Sequence, residues 1–213
     1  MNPKRFVAPF IDRDSIARVV EGIRKQYPVC RAVPVDVLAF AEFDLELTFD
    51  FKPIAQFGQD AFLLHDLSGI VFDVKAFEAR NENRLRFSVA HELGHLHLHR
   101  DLYTGVDFKT VKDWVDFISD VPPEQYQWIE WHANEFAGQL LMPLADLRAA
   151  LEETIRDAER EGYFPQGPDA VLDFCCQAMH RDFGVSRQAM QTRLHSSKLW
   201  PHAKVPRAAG RES

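Results

Sequence analysis

Two histidines and a glutamate lie at a spacing that is typical of a catalytic metal site. In His91-Glu92-Leu93-Gly94-His95 the histidines are four residues apart, so on a helix they project from the same face and can bind one ion. Imidazole nitrogens are good zinc ligands. Glu92 lies about a hundred degrees around the helix from His91, where its carboxylate could take a proton from water. The motif therefore predicts metal-dependent hydrolysis.

A third ligand has to come from another part of the chain, because catalytic zinc usually has three protein ligands and one open position. The segment 128–143 offers Glu130, His132 and Glu135. Glu130 and Asn134 are four residues apart and would share one side of a helix. This spacing favours Glu130 as the ligand, with Asn134 as a hydrogen-bonding partner of a ligand histidine.

The other two candidate ligands of that segment, His132 and Glu135, are expected to lie outside the metal site. His132 points about two hundred degrees around the helix from Glu130, so the two side chains cannot bind the same ion. Glu135 is expected to be a solvent-exposed carboxylate, as most glutamates are.

The histidines that follow the motif are not expected to join the same ion. His97 faces away from the motif histidines and is expected to be structural or exposed. His99 lies about 12 Å from His91 along the helix and is expected to help close the helix end. The residue that would stabilise a substrate oxyanion is left open, with Tyr103, His132 and His99 as candidates.

Two amphipathic helices must position these side chains. Apolar residues recur at helical spacing over residues 84 to about 99 and again over 126–142, and Pro143 ends the second helix. Gly94 and Ala133 are small enough to let the helices approach each other closely. The active site is therefore expected between the two helices. The periodic apolar residues of the first helix are Leu85, Val89, Leu93 and Leu96.

The remaining pattern predicts an α+β fold, with a small antiparallel sheet packed on several helices. A first helix is expected to be capped by Asp14 or Ser15. Residues 1–200 are expected to form one zincin-like domain, followed by a disordered tail over 201–213. The predicted strands are 45–51, 61–65 and 69–74, the last two joined as a hairpin, and further helices are predicted near 111–118, 144–160, 169–181 and 186–196.

Composition limits the classes of function. The chain has 213 residues, of which 46% are hydrophobic and 27% charged, as expected for one folded domain. Its net charge of -7 argues against broad affinity for nucleic acid. The apolar run at 6–11 is too short for a signal peptide, and no stretch approaches a membrane span. The three cysteines, Cys30, Cys175 and Cys176, show no zinc-site spacing and are expected to be reduced thiols of a cytoplasmic protein.

Two longer stretches carry more information than spacing alone. They are Phe87-Ser-Val-Ala-His-Glu-Leu-Gly-His-Leu-His-Leu-His99 and Glu130-Trp-His-Ala-Asn-Glu-Phe-Ala-Gly-Gln-Leu-Leu-Met-Pro143. Together they resemble the ImmA/IrrE family of zinc metallopeptidases, in which an Ala-His-Glu-Leu-Gly-His segment precedes a helix ending in Leu-Leu-Met-Pro. The resemblance covers roughly residues 12–200. It is strongest over 12–145, with a helical C-terminal part over 146–200.

Carried over by position, the resemblance implies His91, His95 and Glu130 as zinc ligands and Glu92 as the catalytic base. This agrees with the helix geometry. Many members carry a second acidic residue where this chain has His132. If that position supplied the ligand, His132 would bind in place of Glu130.

Members of the family are intracellular proteases that typically act on DNA-binding repressors of mobile elements or stress responses. The resemblance therefore implies a cytoplasmic endopeptidase that cleaves a helix-turn-helix repressor or an antitoxin-type protein. Many members carry their own N-terminal helix-turn-helix, for which this chain is too short, so that partner is expected to be a separate polypeptide. Direct binding to nucleic acid or to a membrane is not expected.

Two other functions remain open on the sequence. The protein could be a non-proteolytic zinc-binding regulator, or a toxin component that acts on a DNA-binding partner. Glu92 argues against a purely structural metal site, because it would contribute little there. The segment 183–194 resembles a DNA-reading helix-turn-helix. A recognition helix needs several basic side chains on its exposed face, and this segment has two, Arg187 and Arg193. The segment is therefore assigned to packing.

Overall fold

A computed structural model describes residues 2–54, 60–78, 81–105 and 110–205 of the protein. Short 3-10 turns lie at Pro3–Arg5, Pro28–Cys30 and Phe164–Gln166, and a π-helical turn, Phe40–Asp44, follows α2. The strands are β1 (Thr48–Lys52), β2 (Ala61–Leu63) and β3 (Gly69–Asp73). The helices are α1 (Arg13–Gln26), α2 (Val37–Ala39), α3 (Val74–Glu78), α4 (Glu82–Leu98), α5 (Arg100–Thr104), α6 (Val111–Asp120), α7 (Pro123–Leu141), α8 (Leu144–Arg160), α9 (Pro168–Met179) and α10 (Arg187–Ser196).

The three described strands form one mixed sheet in the order β1–β3–β2. β2 and β3 pair antiparallel, as the predicted hairpin requires. β1 pairs with β3 in parallel, with Thr48 opposite Gly69 and Lys52 opposite Asp73, so the predicted all-antiparallel sheet is wrong. Alternating apolar residues indicate which face of a strand is buried, but not the direction in which a distant strand pairs. The α+β class itself is confirmed.

The first helix begins earlier than its sequence signals suggest. Asp12 is the N-cap, because its Oδ1 accepts a hydrogen bond from the backbone N–H of Ser15 at 2.7 Å. The expected caps, Asp14 and Ser15, lie inside the first turn. The helix ends at Gln26, two residues before Pro28. Its buried residues are Ile16, Val20 and Ile23.

α4 and α7 lie side by side, and a glycine allows their close approach. A Cβ atom on Gly94 would lie 2.8 Å from the Cα atom of Ala133, closer than two such atoms can pack. A larger residue at Gly94 would therefore push α7 away from α4. The expected contact at Gly94 and Ala133 is confirmed.

Glu135 was expected at the surface, and this prediction is wrong. Only 7% of Glu135 is exposed, and its Oε1 lies 3.1 Å from a guanidinium nitrogen of Arg13 and 3.1 Å from one of Arg193. Gln139 donates a further hydrogen bond at 2.9 Å. This side of α7 faces α1 and α10, which supply the arginines that compensate for the buried charge.

The segment 183–194 is packed into the fold rather than presented as a DNA-reading element. Val185, Met190 and Leu194 are fully buried. Arg193 is committed to Glu135, and Arg187 pairs with Asp173. These contacts agree with the assignment of the segment to packing.

The first part of the C-terminal tail is packed against the rest of the protein. The first residues of the expected disordered tail pack against α8, since His202 lies 3.0 Å from Glu152 and Val205 is buried. Residues 206–213 lie outside the described residues.

The cysteines are buried, and none forms a disulfide. Among the described helices, none combines the length and the apolar character needed to cross a membrane.

Candidate metal centre

Three potential metal donors converge between α4 and α7. The Nε2 atoms of His91 and His95 are 3.1 Å apart. The Glu130 carboxylate lies 3.4 Å from the first and 3.6 Å from the second. One donor atom from each of the three side chains lies within 4.8 Å of the others. The structure thus brings together the three residues that the sequence predicts as ligands.

The spacing of these donors fits a tetrahedral ion. Ligand bonds of about 2.0–2.1 Å place neighbouring donors of a tetrahedron about 3.3–3.4 Å apart. The two imidazole nitrogens are 3.1 Å apart, and the Glu130 carboxylate spans them, with Oε2 3.4 Å from His91 and Oε1 3.6 Å from His95, so the separations are close to that value. Two imidazole nitrogens and one carboxylate are also a donor set that zinc accepts with a fourth position open. The residues present therefore fit a catalytic zinc ion.

Asn134 determines which nitrogen of His91 carries the proton. Its Nδ2 donates to the backbone carbonyl of Glu130 at 2.8 Å, so its Oδ1 must be the atom that faces His91. That oxygen lies 3.3 Å from Nδ1 of His91. An amide oxygen only accepts hydrogen bonds, so Nδ1 carries the hydrogen and Nε2 keeps its lone pair for a metal. This is the arrangement that the sequence predicts for Asn134.

His95 has a different set of neighbours, which spacing alone did not reveal. Its Nδ1 lies 3.0 Å from Nδ1 of His99, and Nε2 of His99 lies 3.2 Å from Nδ1 of His132. All three rings are buried. His99 also ends α4, as predicted, with its N–H bonded to the carbonyl of His95. The sequence signals this row of rings in part, because histidines occur at every fourth position, 91, 95 and 99, of the predicted helix. The contact of His99 with His132 on α7 appears only in the structure.

Glu92 lies beside the donors rather than among them. Its side chain is 6% exposed. One carboxylate oxygen accepts a hydrogen bond of 2.9 Å from the backbone N–H of Leu63 in β2. The sheet therefore fixes the carboxylate that the motif predicts as the base.

Comparison with family profiles assigns the chain to a family through its residues 78–195. The profile of the IrrE N-terminal-like domain, peptidase family M78, matches residues 78–195, more than half of the chain. The chain belongs to this family. A search of curated proteins finds no match. The matched segment contains α4 and α7 with all three donors, whereas the sheet and α1 precede it.

Membership in the M78 family makes this a metallopeptidase fold, and the charge balance at the site suits a cation. Burial raises the pKa of Glu130, but the adjacent rings of His91 and His95 outweigh burial and hold the pKa well below its usual range. Burial lowers the pKa of His91, but the bond to Glu130 and the charge of Glu92 outweigh burial and raise the pKa above 6.5. The site thus keeps an ionised carboxylate, which attracts positive charge.

The oxyanion candidates lie on two sides of His95. The ring of Tyr103 is 6.1 Å from that of His95 and stacks on Trp114 at 4.7 Å. Burial, together with the nearby charges of Glu92 and Glu130, raises the pKa of Tyr103 well above 10. The phenol therefore stays protonated and can donate a hydrogen bond.

His132 and His99 are engaged elsewhere. Nδ1 of His132 faces His99 rather than the donor cluster. Burial, then the neighbouring rings of His95 and His132, lower the pKa of His99 to about 2, so its ring is neutral. Trp114 and Phe117, two aromatic residues that follow Tyr103 in the chain, are core residues. Phe108, which lies between Tyr103 and Trp114 in the sequence, is outside the described residues.

Proposed function

We propose that this M78 family member is a zinc-dependent endopeptidase. His91, His95 and Glu130 hold the metal, and Glu92 is the general base. The observation that carries the proposal is the convergence of two imidazole nitrogens and the Glu130 carboxylate within 4.8 Å of one another, with a second carboxylate, that of Glu92, beside them. A structural zinc site has no use for this second carboxylate and tends to be closed by four ligands.

The chemistry divides between the metal and the protein. A bound zinc ion lowers the pKa of water towards neutrality and polarises a carbonyl oxygen. Glu92 takes a proton from the attacking water and passes it to the leaving amine. The N–H of Leu63 holds the carboxylate of Glu92 in place, so that little reorganisation is needed when the proton moves.

The edge of the sheet suits an extended substrate. β2 is a terminal strand in the order β1–β3–β2, and its Leu63 N–H points away from β3 towards Glu92. Terminal strands bind peptides by adding a further strand through main-chain hydrogen bonds. Because the Leu63 N–H is bonded to Glu92, a polypeptide would pair with other backbone groups of this edge, beside Glu92 and the donor cluster. The buried phenol of Tyr103 is the favoured donor to the substrate oxyanion.

The expected substrate is a helix-turn-helix repressor or an antitoxin-type protein in the cytoplasm. The resemblance to ImmA/IrrE proteins supports this class. The net charge of -7 also supports it, because an acidic protein attracts a basic DNA-binding partner and speeds their encounter. The basic side chains of the segment 183–194 are paired, so DNA contact is left to the partner.

Glu92→Gln tests the proposal. The amide oxygen can still accept the hydrogen bond from Leu63, so the fold and the metal should be retained. The zinc-loaded wild type and the variant are incubated with candidate helix-turn-helix proteins and a proteome-derived peptide library, and new N termini are read by mass spectrometry. We expect zinc-dependent cleavage by the wild type and a loss of at least about 100-fold in the variant.

Glu82→Gln is the matched control, because Glu82 is an exposed glutamate on the same helix. It should cleave like the wild type. Equal cleavage by Glu92→Gln, or no zinc-dependent cleavage by the wild type, would contradict the proposal. Zinc binding with unchanged partner binding in Glu92→Gln would then favour the non-proteolytic regulator or toxin.

A further inference from the structure

A chain of three imidazole rings leads away from the metal donors into the protein. It starts at Nδ1 of His95, passes both nitrogens of His99 and reaches Nδ1 of His132. The two nitrogen–nitrogen distances, 3.0 and 3.2 Å, are hydrogen-bond distances. The exposed fractions of the three residues are 4%, 3% and 1%, so water does not compete for these bonds.

The far end of the chain lies beside the segment before α1. Burial lowers the pKa of His132, and the backbone of Ile11 partly opposes this shift. Nδ1 of His132 faces His99. The nearby Ala8 N–H is bonded to Gln125 of α7 at 2.9 Å, which holds this segment against the helix.

One tautomer dictates the others, because a neutral imidazole has one donor and one acceptor nitrogen. Nε2 of His95 faces His91 and Glu130, and as a metal ligand it would keep its lone pair and leave the hydrogen on Nδ1. His99 then accepts at Nδ1 from His95 and donates from Nε2 to Nδ1 of His132. The hydrogen of His132 is left on Nε2.

We propose that His99 and His132 are positioning residues that hold His95 in the Nδ1–H tautomer with Nε2 aimed at the metal. The inference rests on the proposed function in one respect, that His95 is a ligand. It assigns to the protein a three-ring chain that supports one ligand and ends at His132 of α7. Reversal of the chain would place hydrogen on Nε2 of His95 and would block metal binding there.

His97 provides the contrast within the same helix. Its ring stacks on Phe136 at 5.6 Å. Its Nε2 is buried without a hydrogen-bond partner among the described residues. His97 is therefore a matched control, since it is a histidine of α4 outside the chain of rings.

The first experiment reads the tautomers directly. The wild type is labelled with nitrogen-15 in histidine, and long-range proton–nitrogen spectra distinguish the protonated from the bare ring nitrogen, with and without zinc. We expect hydrogen on Nε2 in His132 and His99 and on Nδ1 in His95. Hydrogen on Nδ1 of His99, or a doubly protonated His99, would overturn the proposal.

The second experiment measures the zinc dissociation constant by competition with a chelator. His99→Phe keeps the ring volume and removes both nitrogens, so the constant should rise about 10- to 100-fold. His132→Phe should produce a smaller rise. His132→Asn should restore most of the affinity, because its Oδ1 can accept from His99 as Nδ1 does. His97→Phe should leave the constant unchanged.

The outcomes separate this inference from the proposed function. Equal affinities for His99→Phe and His97→Phe would overturn the inference while leaving the peptidase proposal intact. If the wild type bound no zinc, the proposed function would fail, but the metal-free spectra would still decide the tautomers of the three rings. The same spectra decide the inference if His99→Phe does not fold.

Discussion

The two histidines of the motif are supported in contrasting ways. His91 keeps 16% of its side chain exposed, and one amide, that of Asn134, orients it from the neighbouring helix. His95 keeps 5% exposed, and two further buried rings, those of His99 and His132, follow it in a chain. The support of His91 is a single side chain of α7, whereas that of His95 runs along α4 and then to α7.

This difference indicates that the His91 side of the site is open to a substrate, whereas the His95 side is held rigid by buried hydrogen bonds. The exposed side can admit a substrate, and its support needs only one polar side chain. The buried side has no water to satisfy ring nitrogens, so each of them needs a protein partner. A break in the buried chain leaves an unsatisfied N–H, which costs about 1–3 kcal/mol. A change at His91 leaves groups that water can reach.

The largest effect is expected at Glu135 of α7, which pairs with two arginines rather than with the metal donors. Glu135→Ala would leave Arg13 and Arg193 without their shared carboxylate, so the free energy of unfolding should fall by about 3–5 kcal/mol. Zinc affinity at fixed temperature should hardly change, because this network does not touch the donors. Chemical denaturation and chelator competition measure the two quantities. Glu124→Ala, an exposed change on the same helix, should alter neither, and zinc loss in Glu135→Ala would show that the two faces are coupled.

The second largest effect is expected at Gly94, where a larger residue would disturb the packing of α4, which carries both histidines, against α7. Gly94→Ala places a Cβ atom 2.8 Å from the Cα of Ala133. The overlap should cost about 1–3 kcal/mol of stability and should weaken zinc binding, because α7 carries Glu130. Gly22→Ala is the control, since an added Cβ there meets nothing within 4 Å. It should stabilise the protein by about 0.4–1 kcal/mol, and a similar gain in Gly94→Ala would refute the close packing.

The local support of His91 can be tested separately from that of His95. Asn134→Leu removes the acceptor for Nδ1 of His91, so the zinc dissociation constant should rise about 10-fold or more. Asn134→Asp keeps an acceptor and should recover most of the affinity. Titration with a chelator gives both values. A loss that Asn134→Asp does not recover would mean that packing, rather than the hydrogen bond, is what Asn134 supplies.

The smallest effect is a pH dependence of the metal-free protein. The pKa of His91 is raised above 6.5, so its pairing with Glu130 is lost as pH rises through the folded-state value. The pKa of Glu130 is lowered below 4.5, so the pair is also lost as pH falls through that lower value. We expect the pair to stabilise the metal-free protein between about pH 4.5 and 6.5. Thermal unfolding from pH 4 to 9 measures this, and Glu130→Gln should remove the effect.

Much of the site could be predicted because it depends on short spacings. The separation of His91 from His95, and of Glu130 from Asn134, determines which side chains share a helix face. Gly94 and Ala133 indicated where the helices meet. These features survive in any fold that packs the two helices together, so a single sequence was enough to place them.

The remaining features depend on partners far away in the chain. Glu135 was misplaced because its arginines come from α1 and α10. The parallel pairing of β1 with β3 was missed because no short turn joins those strands. The contact between His99 and His132 required the angle between α4 and α7, which spacing along one helix does not determine.

The most direct test of the central claim is the zinc content of the wild type beside Glu130→Gln and its control Glu124→Gln. Each protein is equilibrated with zinc, freed of loose metal and analysed by mass spectrometry of the elements. The three-donor site predicts one zinc per chain in the wild type and in Glu124→Gln, and a loss of zinc in Glu130→Gln. One full equivalent of zinc in Glu130→Gln, or none in the wild type, would contradict it.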